Sequence, residues 1–513
     1  MIGRMPCPRW RNAALAAMVA CTLAGCGSRI GLGTAGDGAA GQLQGPSVAI
    51  GTETAPAAGG SLGRQTNGEL SPDQTSRNAS TSPGTATTQN SSTPGSSTAG
   101  DGPGVTSSTI KLGIAYDPDS AQGNAAVGAS GTDSGDVRTY YNALFQEINA
   151  AGGIAGRKLT ASYFAASSSS NKTTEQVDQA ACAQWTQDTR VFAVFSVADD
   201  LSRQCLGSKG VLALNTGASN SLRSTFKRFP YYVETSSIAL DRSLSATADG
   251  LATTDYYGKA PTIGIISWDN ASYRSAVQTS LIPALSVLGH RPVDPIFVRV
   301  PEAVSDLGGS SADVSSAVLK FRQEGVTHVF MVDGPAGVFG GTGLTLLFIK
   351  NAGSQHYYPR YGMNDSNSPQ AGIDAGLWTA NDVRGSRVVS SANILDSSDA
   401  GIAPNLARKQ CLALMARHGI KPANVNQRGF ILRSCEFVWF LKVVLRTEHT
   451  TVNRDVFMAR VAQLGTGFAS PTAYRTFFSA AQHDGVAGLR REALSDSCGC
   501  YTYIGGIYAA PQS

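Results

Sequence analysis

The loop after one short apolar run carries side chains suited to holding a small anion. The run Val211–Leu214 ends at NTGASN, residues 215–220, which supplies hydroxyls at Thr216 and Ser219 and a small residue at Gly217. An apolar run that stops at small polar residues is typical of a buried parallel strand, and ligands of α/β sheets lie at the carboxyl ends of such strands. Free backbone N–H groups there favour a carboxylate. The sequence therefore predicts a ligand-binding loop, with a plain turn as the alternative.

The preceding apolar run, residues 191–197, is followed by acidic residues at Asp199 and Asp200. Because the carboxyl ends of parallel strands share one sheet edge, Asp199 is a second candidate for the same site. Its carboxylate would pair with an ammonium or another polar group, and it would repel a carboxylate. The alternative is that Asp199 or Asp200 caps a helix that starts near Leu201, and both interpretations stay open.

The second half of the chain offers aromatic and acidic residues at or just after its expected strand ends. These residues are Trp268, Asp269, Tyr273, Asp333 and Asp365. The two rings could stack on a ligand, and an aspartate could pair with an ammonium. The alternatives are that the rings pack inside the fold and that the aspartates complete turns. The long Gly-rich loop around Asp117 and Ser120 is a weaker candidate.

Catalytic signatures are absent from the sequence. It contains no G-x-S-x-G, no H-E-x-x-H and no phosphate loop, and its six histidines lack ligand spacing. The net charge is only +4, and Arg4, Arg9 and Arg11 contribute to it at the very start. The remaining charges therefore form no strongly basic surface that would bind nucleic acid. We therefore expect a binding protein rather than an enzyme, with no metal and no cofactor.

Strand and helix patterns alternate in two successive rounds, which predicts an α/β fold. The first round opens with a strand at Thr109–Tyr116 and a helix at Val137–Ala150 that ends at Gly152 and Gly153. The second round opens with the apolar run Thr262–Ser267. Such alternation indicates parallel sheets covered by helices on both faces.

The amino terminus has the form of a lipoprotein signal. Arg4, Arg9 and Arg11 precede an apolar run at residues 13–23, and LAGC closes it at Cys26. The run is too short to span a bilayer, so we expect a signal peptide at residues 1–25. LAGC resembles a bacterial lipobox, whose cysteine receives a diacylglyceryl group and anchors the protein in the membrane. The alternative is an ordinary signal cleaved elsewhere.

The next segment, residues 26–108, consists almost entirely of small and polar residues. It cannot bury enough apolar surface to offset its ordering entropy, so we expect a disordered tether.

Six cysteines follow the tether, at positions 182, 205, 411, 435, 498 and 500. An even number after an export signal predicts disulfides. Cys182 with Cys205, and Cys411 with Cys435, join elements that should be neighbours. A bond between Cys498 and Cys500 would need a local turn at Gly499.

Several motifs together resemble one known family. They are IKLGIAY in the first strand, EINAAGGIAGRKL at 147–159, GVLALNTGASN at 210–220, and TIGIISWDNASYRSAV from Thr262. Across residues 109–513 the chain resembles the type I periplasmic-binding-protein fold, and in particular the receptors typified by branched-chain amino-acid-binding proteins of ABC importers. The cysteine pair at 182 and 205 is also similar to that group.

The resemblance implies two doubly wound parallel-sheet lobes joined by three crossover strands, with the ligand in the cleft between them. Lobe 1 would comprise residues 109–235 and 395–497, and lobe 2 residues 236–394 and 498–513. The crossovers are expected near Tyr231–Ser236, Arg387–Ile394 and Tyr501–Tyr508. Charges at Arg433, Glu436 and Lys442 interrupt the apolar segment 429–446, so it is interpreted as a buried core helix rather than a membrane span.

The resemblance also implies an extracytoplasmic, lipid-anchored, monomeric receptor that passes a small polar solute, such as an amino acid or amide, to an ABC permease. Thr216 and Ser219 would hold the ligand's α-carboxylate. Members of the family carry small serines after the third strand, where this chain has Ala198, Asp199 and Asp200. The alternatives are a ligand-sensing lipoprotein that reports to a membrane signalling partner and, because of that departure, an envelope protein that has lost its ligand site.

Overall fold

A computed structural model describes residues 100–339, 341–392, 405–448 and 450–512. The predicted signal peptide, Cys26 and residues 26–99 of the predicted tether lie outside them. The folded part begins earlier than expected, because Asp101 forms an ion pair with the buried Arg157 at 3.0 Å and accepts a hydrogen bond from the backbone N–H of Val452. Residues 101–108 therefore belong to the folded part rather than to the tether.

The first sheet is parallel throughout and has the strand order β2-β1-β3-β4-β5. Its strands are β1 Thr109–Tyr116, β2 Lys158–Ala165, β3 Ala193–Phe195, β4 Leu212–Asn215 and β5 Tyr232–Glu234. The connecting helices are α1 Ser120–Ala126, α2 Val137–Ala150, α3 Thr174–Ala183, α4 Asp200–Ser208 and α5 Arg223–Arg228. Along β4, Leu212 and Leu214 enter one core while Ala213 enters another, as expected of a strand covered on both faces.

The first five strands of the second sheet in chain order are parallel to one another. These are β6 Ile263–Asp269, β7 Ile296–Arg299, β8 His328–Val332, β9 Arg360–Asn364 and β10 Arg387–Ser390. The helices that cover it are α6 Leu240–Ala252, α7 Ala271–Ala276, α8 Ile282–Val287, α9 Leu307–Gln323, α10 Gly343–Ser354 and α11 Pro369–Asp374. Together with the first sheet, this confirms the predicted pair of doubly wound lobes.

Three later helices return to the first sheet. They are α12 Leu406–Arg417, α13 Val425–Val444 and α14 Arg454–Ala462. The long helix α13 packs in the core of the first lobe beside α2, with Phe437 stacked on Phe195 of β3. No helix among the described residues is long and apolar enough to cross a membrane.

The chain ends in a hairpin that was not predicted. Strand β11 Gly488–Ser495 pairs antiparallel with β10, and β12 Cys500–Ala509 pairs antiparallel with β11. Assigning residues up to 497 to lobe 1 and a crossover to Tyr501–Tyr508 was therefore wrong, because both strands extend the second sheet. The third crossing lies near Asp484–Gly488, where Gly485 donates a backbone hydrogen bond to Glu234 beside the first crossing. The sequence of β11, GLRREALS, contains several polar residues, so the pattern of apolar residues did not predict a strand there.

All three expected cysteine pairs are bonded in the structure. Cys182–Cys205 joins α3 to α4, and Cys411–Cys435 joins α12 to α13. Cys498–Cys500 spans the hairpin turn, where Gly499 has a φ of +62°. Such an angle favours glycine, which explains why this short spacing can close.

A candidate ligand cleft between two lobes

A cleft of about 540 Å³ lies between the two lobes. The first lobe lines it with the loop after β1, the loop after β4 and one face of α13, and the second lobe with the loops after β8 and β9. Carboxyl ends of strands from both sheets therefore meet at one space, as expected for ligand sites of open α/β sheets. Its volume falls within the range of small-molecule sites, about 300–1,000 Å³.

The loop after β4 lines the cleft with residues 215–218 and turns away after them. Gly217 adopts a φ of +91°, which an L side chain rarely adopts. Thr216 lines the cleft, and its contact with a ligand stays a prediction. Ser219 does not: its hydroxyl is buried and donates to Glu234 Oε1 at 2.6 Å, while its oxygen accepts from the N–H of Ser221. A ligand role for Ser219 stays a prediction that this geometry does not favour.

Thr216 is connected to the crossing segments by a chain of hydroxyls. Its Oγ1 is hydrogen-bonded to the Oγ of Ser236, which accepts from Thr472 Oγ1 at 2.7 Å. Behind them, the buried Glu436 accepts from Ser470 Oγ at 2.6 Å, and burial raises its pKa to about 7. A polar network thus runs from the cleft to the segments that join the lobes.

Asp199 behaves as the capping interpretation expects. Its carboxylate accepts the N–H of Ser202 at 2.7 Å as the N-cap of α4. It lies outside the cleft beside Asp178, whose pKa is raised to about 7 by burial and by the charge of Asp199. Asp200 instead forms an ion pair with Arg203 at 2.7 Å. Neither carboxylate faces the space where a ligand would lie, although the sequence alone could not distinguish the two possibilities.

Four of the predicted contacts in the second lobe have internal partners. The Trp268 indole is fully buried and donates to Asp333 Oδ1 at 2.9 Å. Asp333 also accepts the N–H and the hydroxyl of Thr345 at 2.8 and 2.7 Å, while its burial raises its pKa. Tyr273 is buried and donates to a backbone carbonyl, and Asp269 forms a surface ion pair with Arg274. Their contact with ligand stays a prediction, but none of these four side chains lines the cleft.

Asp365 does line the cleft, from the end of β9. Its Oδ2 accepts the N–H of Ser391 at 3.3 Å and the hydroxyl of the same residue. Burial raises its pKa, while the Ser391 hydrogen bonds and the positive charge of Arg433 act in the opposite direction. Asp365 therefore presents a carboxylate from the second lobe towards a cation from the first.

That cation, Arg433 on α13, was not predicted as a site residue. The sequence shows it only as a charge within an apolar helix, and this was the signal that could have identified it. Asp117 and Ser120, the weaker candidates after β1, also line the cleft. Asp117 Oδ1 accepts the N–H groups of Asp119 and Ser168 at 2.9 and 3.1 Å, so its carboxylate is already engaged.

In the part of the chain that the structure describes, no group of three or more His, Cys, Asp or Glu side chains is arranged to hold a metal ion. The side chains that line the cleft supply hydrogen-bonding groups, one guanidinium, two carboxylates and apolar walls.

No protein-family model matches the sequence, and no curated protein matches it significantly. Solved structures do match. A solute-binding protein of an ABC transporter from Rhodopseudomonas palustris HaA2, in complex with p-hydroxybenzoic acid, aligns with a TM-score of 0.57 at 14% identity over 79% of this chain and 98% of its own. A fatty acid ABC transporter substrate-binding protein from Thermomonospora curvata gives 0.55 at 16% identity, over 80% and 94%.

An ABC transporter substrate-binding protein from Desulfitobacterium hafniense in complex with Leu aligns with a TM-score of 0.52 at 16% identity, over 77% of this chain and 100% of its own. The chain has the type I periplasmic-binding-protein fold. At these identities the likeness establishes the fold alone. The two doubly wound sheets and the cleft between them are what the resemblance implied. The end of the second predicted crossing, Arg387–Ile394, lies outside the described residues from position 393 on.

Proposed function

We propose that this protein is an extracytoplasmic solute-binding protein that closes its two lobes around a small organic ligand for an ABC-type importer. One observation carries the proposal. Arg433 of the first lobe and Asp365 of the second line the same cleft, so one ligand can contact both lobes. A ligand that contacts both lobes has its full set of interactions only when they are closed, and it therefore favours the closed state.

The solved structures with this fold support the proposal. They are substrate-binding or solute-binding proteins of ABC transporters: one is a fatty acid substrate-binding protein, one is in complex with Leu and one is in complex with p-hydroxybenzoic acid. The acidic residues at Asp199 and Asp200 were the reason to consider a lost ligand site. Because these side chains cap and pair within the first lobe, they do not argue against a ligand.

The proposal also includes a lipid anchor at Cys26 and a permease partner in the membrane. A diacylated Cys26 would hold the protein on the outer face of the cell membrane, and residues 26–99 would carry the folded part away from it. The closed, monomeric receptor would then present its ligand to a membrane permease. A signalling partner in place of the permease would use the same cleft.

Thermal unfolding of the purified folded part with a broad ligand panel tests the proposal. The panel would contain amino acids, amides, carboxylic acids, short peptides and sugars. A ligand present at one hundred times its dissociation constant should stabilise the protein by about 2.7 kcal/mol. If no member of such a panel raises the unfolding temperature, the solute-binding function is wrong.

A further inference from the structure

Arg433 is a half-buried cation whose buried Nε is left without an acceptor. Its Nε makes no hydrogen bond although it is buried, and no ion pair to its guanidinium occurs among the described residues. Burial lowers its pKa, and the charge of the Asp365 carboxylate acts in the opposite direction. An unpaired charge inside a protein is costly, so an anion that reaches Arg433 recovers a large interaction.

The other charged groups of the cleft, Asp117 and Asp365, already have hydrogen-bond partners within the protein. Asp117 accepts two backbone N–H groups, and Asp365 accepts the N–H and hydroxyl of Ser391. Both carboxylates are thus supplied with donors by the protein, whereas the buried Nε of Arg433 has no acceptor there. The missing partner is therefore an acceptor that a ligand must bring.

A single guanidinium favours an acceptor with one negative charge over an acceptor with two. A dianion such as a phosphate would meet one guanidinium and two carboxylates, whereas a carboxylate matches the guanidinium fork in both charge and geometry. Thr216 and the backbone of Gly217 lie on the same wall as Arg433 and can bind the same group.

The remainder of the wall is apolar and aromatic. Tyr141, Phe430 and Phe437 face the cleft from the first lobe, and Phe339 and Leu346 from the second. Flat and aliphatic surfaces of this kind bind the hydrocarbon part of a ligand.

We infer that Arg433 is the specificity-determining anchor of this cleft and that it selects ligands with one carboxylate on an apolar or aromatic body. The inference rests on the proposed function and deepens it. Arg433 would thus perform part of the carboxylate binding that the family resemblance implied for Ser219.

Matched pairs of a carboxylate and its amide test the inference. The pairs are p-hydroxybenzoate with p-hydroxybenzamide, octanoate with octanamide, and leucine with leucinamide, each measured by calorimetric titration of the folded part. At least one carboxylate should bind, and its amide should bind at least tenfold more weakly. In Arg433→Gln the affinity for that carboxylate should fall about thirtyfold or more, since a hydrogen-bonded charge is lost from a desolvated site.

Lys442→Gln is the matched control, because Lys442 is an exposed cation on the same helix. It removes the same charge and should leave the affinity unchanged, and circular dichroism would verify that both variants fold. Unchanged binding of the carboxylate by Arg433→Gln overturns the inference, as does an amide that binds as tightly as its acid. If only compounds without a carboxylate bind, the inference fails while the solute-binding function stands. If nothing in any panel binds, both fail.

Discussion

The guanidinium of Arg433 packs directly against Gly217. A Cβ built on Gly217 would lie 2.9 Å from Cζ and 2.9 Å from Nη2 of Arg433. Real Cβ atoms essentially never approach so closely, so any side chain at this position must displace the guanidinium. A helix from late in the chain and a loop from the first sheet thus form one wall of the cleft.

Replacing Gly217 with alanine should therefore weaken ligand binding. We expect the new methyl group to move Arg433 and to lower the affinity about tenfold or more for the ligand that the panel identifies, measured by calorimetry. The left-handed backbone should also cost about 1–2 kcal/mol of stability. Gly152→Ala is the control: its φ is +96° and nothing lies within 4 Å of the added Cβ. It should lose similar stability and no affinity, and equal affinities in the two variants would contradict the proposed contact.

Substitutions of Thr216 and Ser219 should have different effects: the first should weaken ligand binding, and the second should lower the stability of the fold. Ser219→Ala removes a donor to the fully buried Glu234 and should lower the free energy of unfolding by about 1–3 kcal/mol with little change in affinity. Thr216→Ala shortens a side chain that lines the cleft and should weaken binding. Urea denaturation and titration of each single variant would distinguish them. A loss of affinity in Ser219→Ala alone would restore the original assignment.

Glu436 should make stability depend on pH. Its carboxyl has a pKa of about 7 when folded and 4.5 ordinarily, so the folded state binds more protons between these values. Stability attributable to Glu436 should therefore be present below about pH 4.5 and be lost as pH rises towards 7, by up to about 3 kcal/mol. Glu436→Gln cannot ionise, so its unfolding free energy should change less than that of the original protein between pH 5 and pH 8. Equal changes in both proteins would show that Glu436 is ionised throughout.

Attachment of the protein to the membrane should depend on Cys26. Cys26→Ala removes the acceptor thiol of the predicted lipobox, so cells should release the protein into the soluble extracytoplasmic fraction. Cys21→Ala, within the apolar run of the signal, should leave it membrane-bound. Cell fractionation followed by immunoblotting measures both. Persistent anchoring of the Cys26 variant would contradict the lipobox.

Local patterns predicted individual elements well. The bounds expected for the first strand, Thr109–Tyr116, and for the helix Val137–Ala150 are those of β1 and α2. Burial of alternating apolar residues and termination at glycine act within a few residues of chain, so a short stretch contains their whole signal. The hairpin of β11 and β12 was missed because its partner β10 lies far away in the sequence.

The sequence by itself determined two α/β lobes and the loops that could face a cleft, because apolar spacing and turn residues carry that information locally. Only the tertiary structure decided which polar side chains remain available to a ligand. Ser219, Trp268 and Asp333 have buried hydrogen-bond partners, whereas the buried Nε of Arg433 has none among the described residues. The hydrogen-bond partners of a side chain are supplied by distant segments, and that is why its role could not be read from its own neighbourhood in the chain.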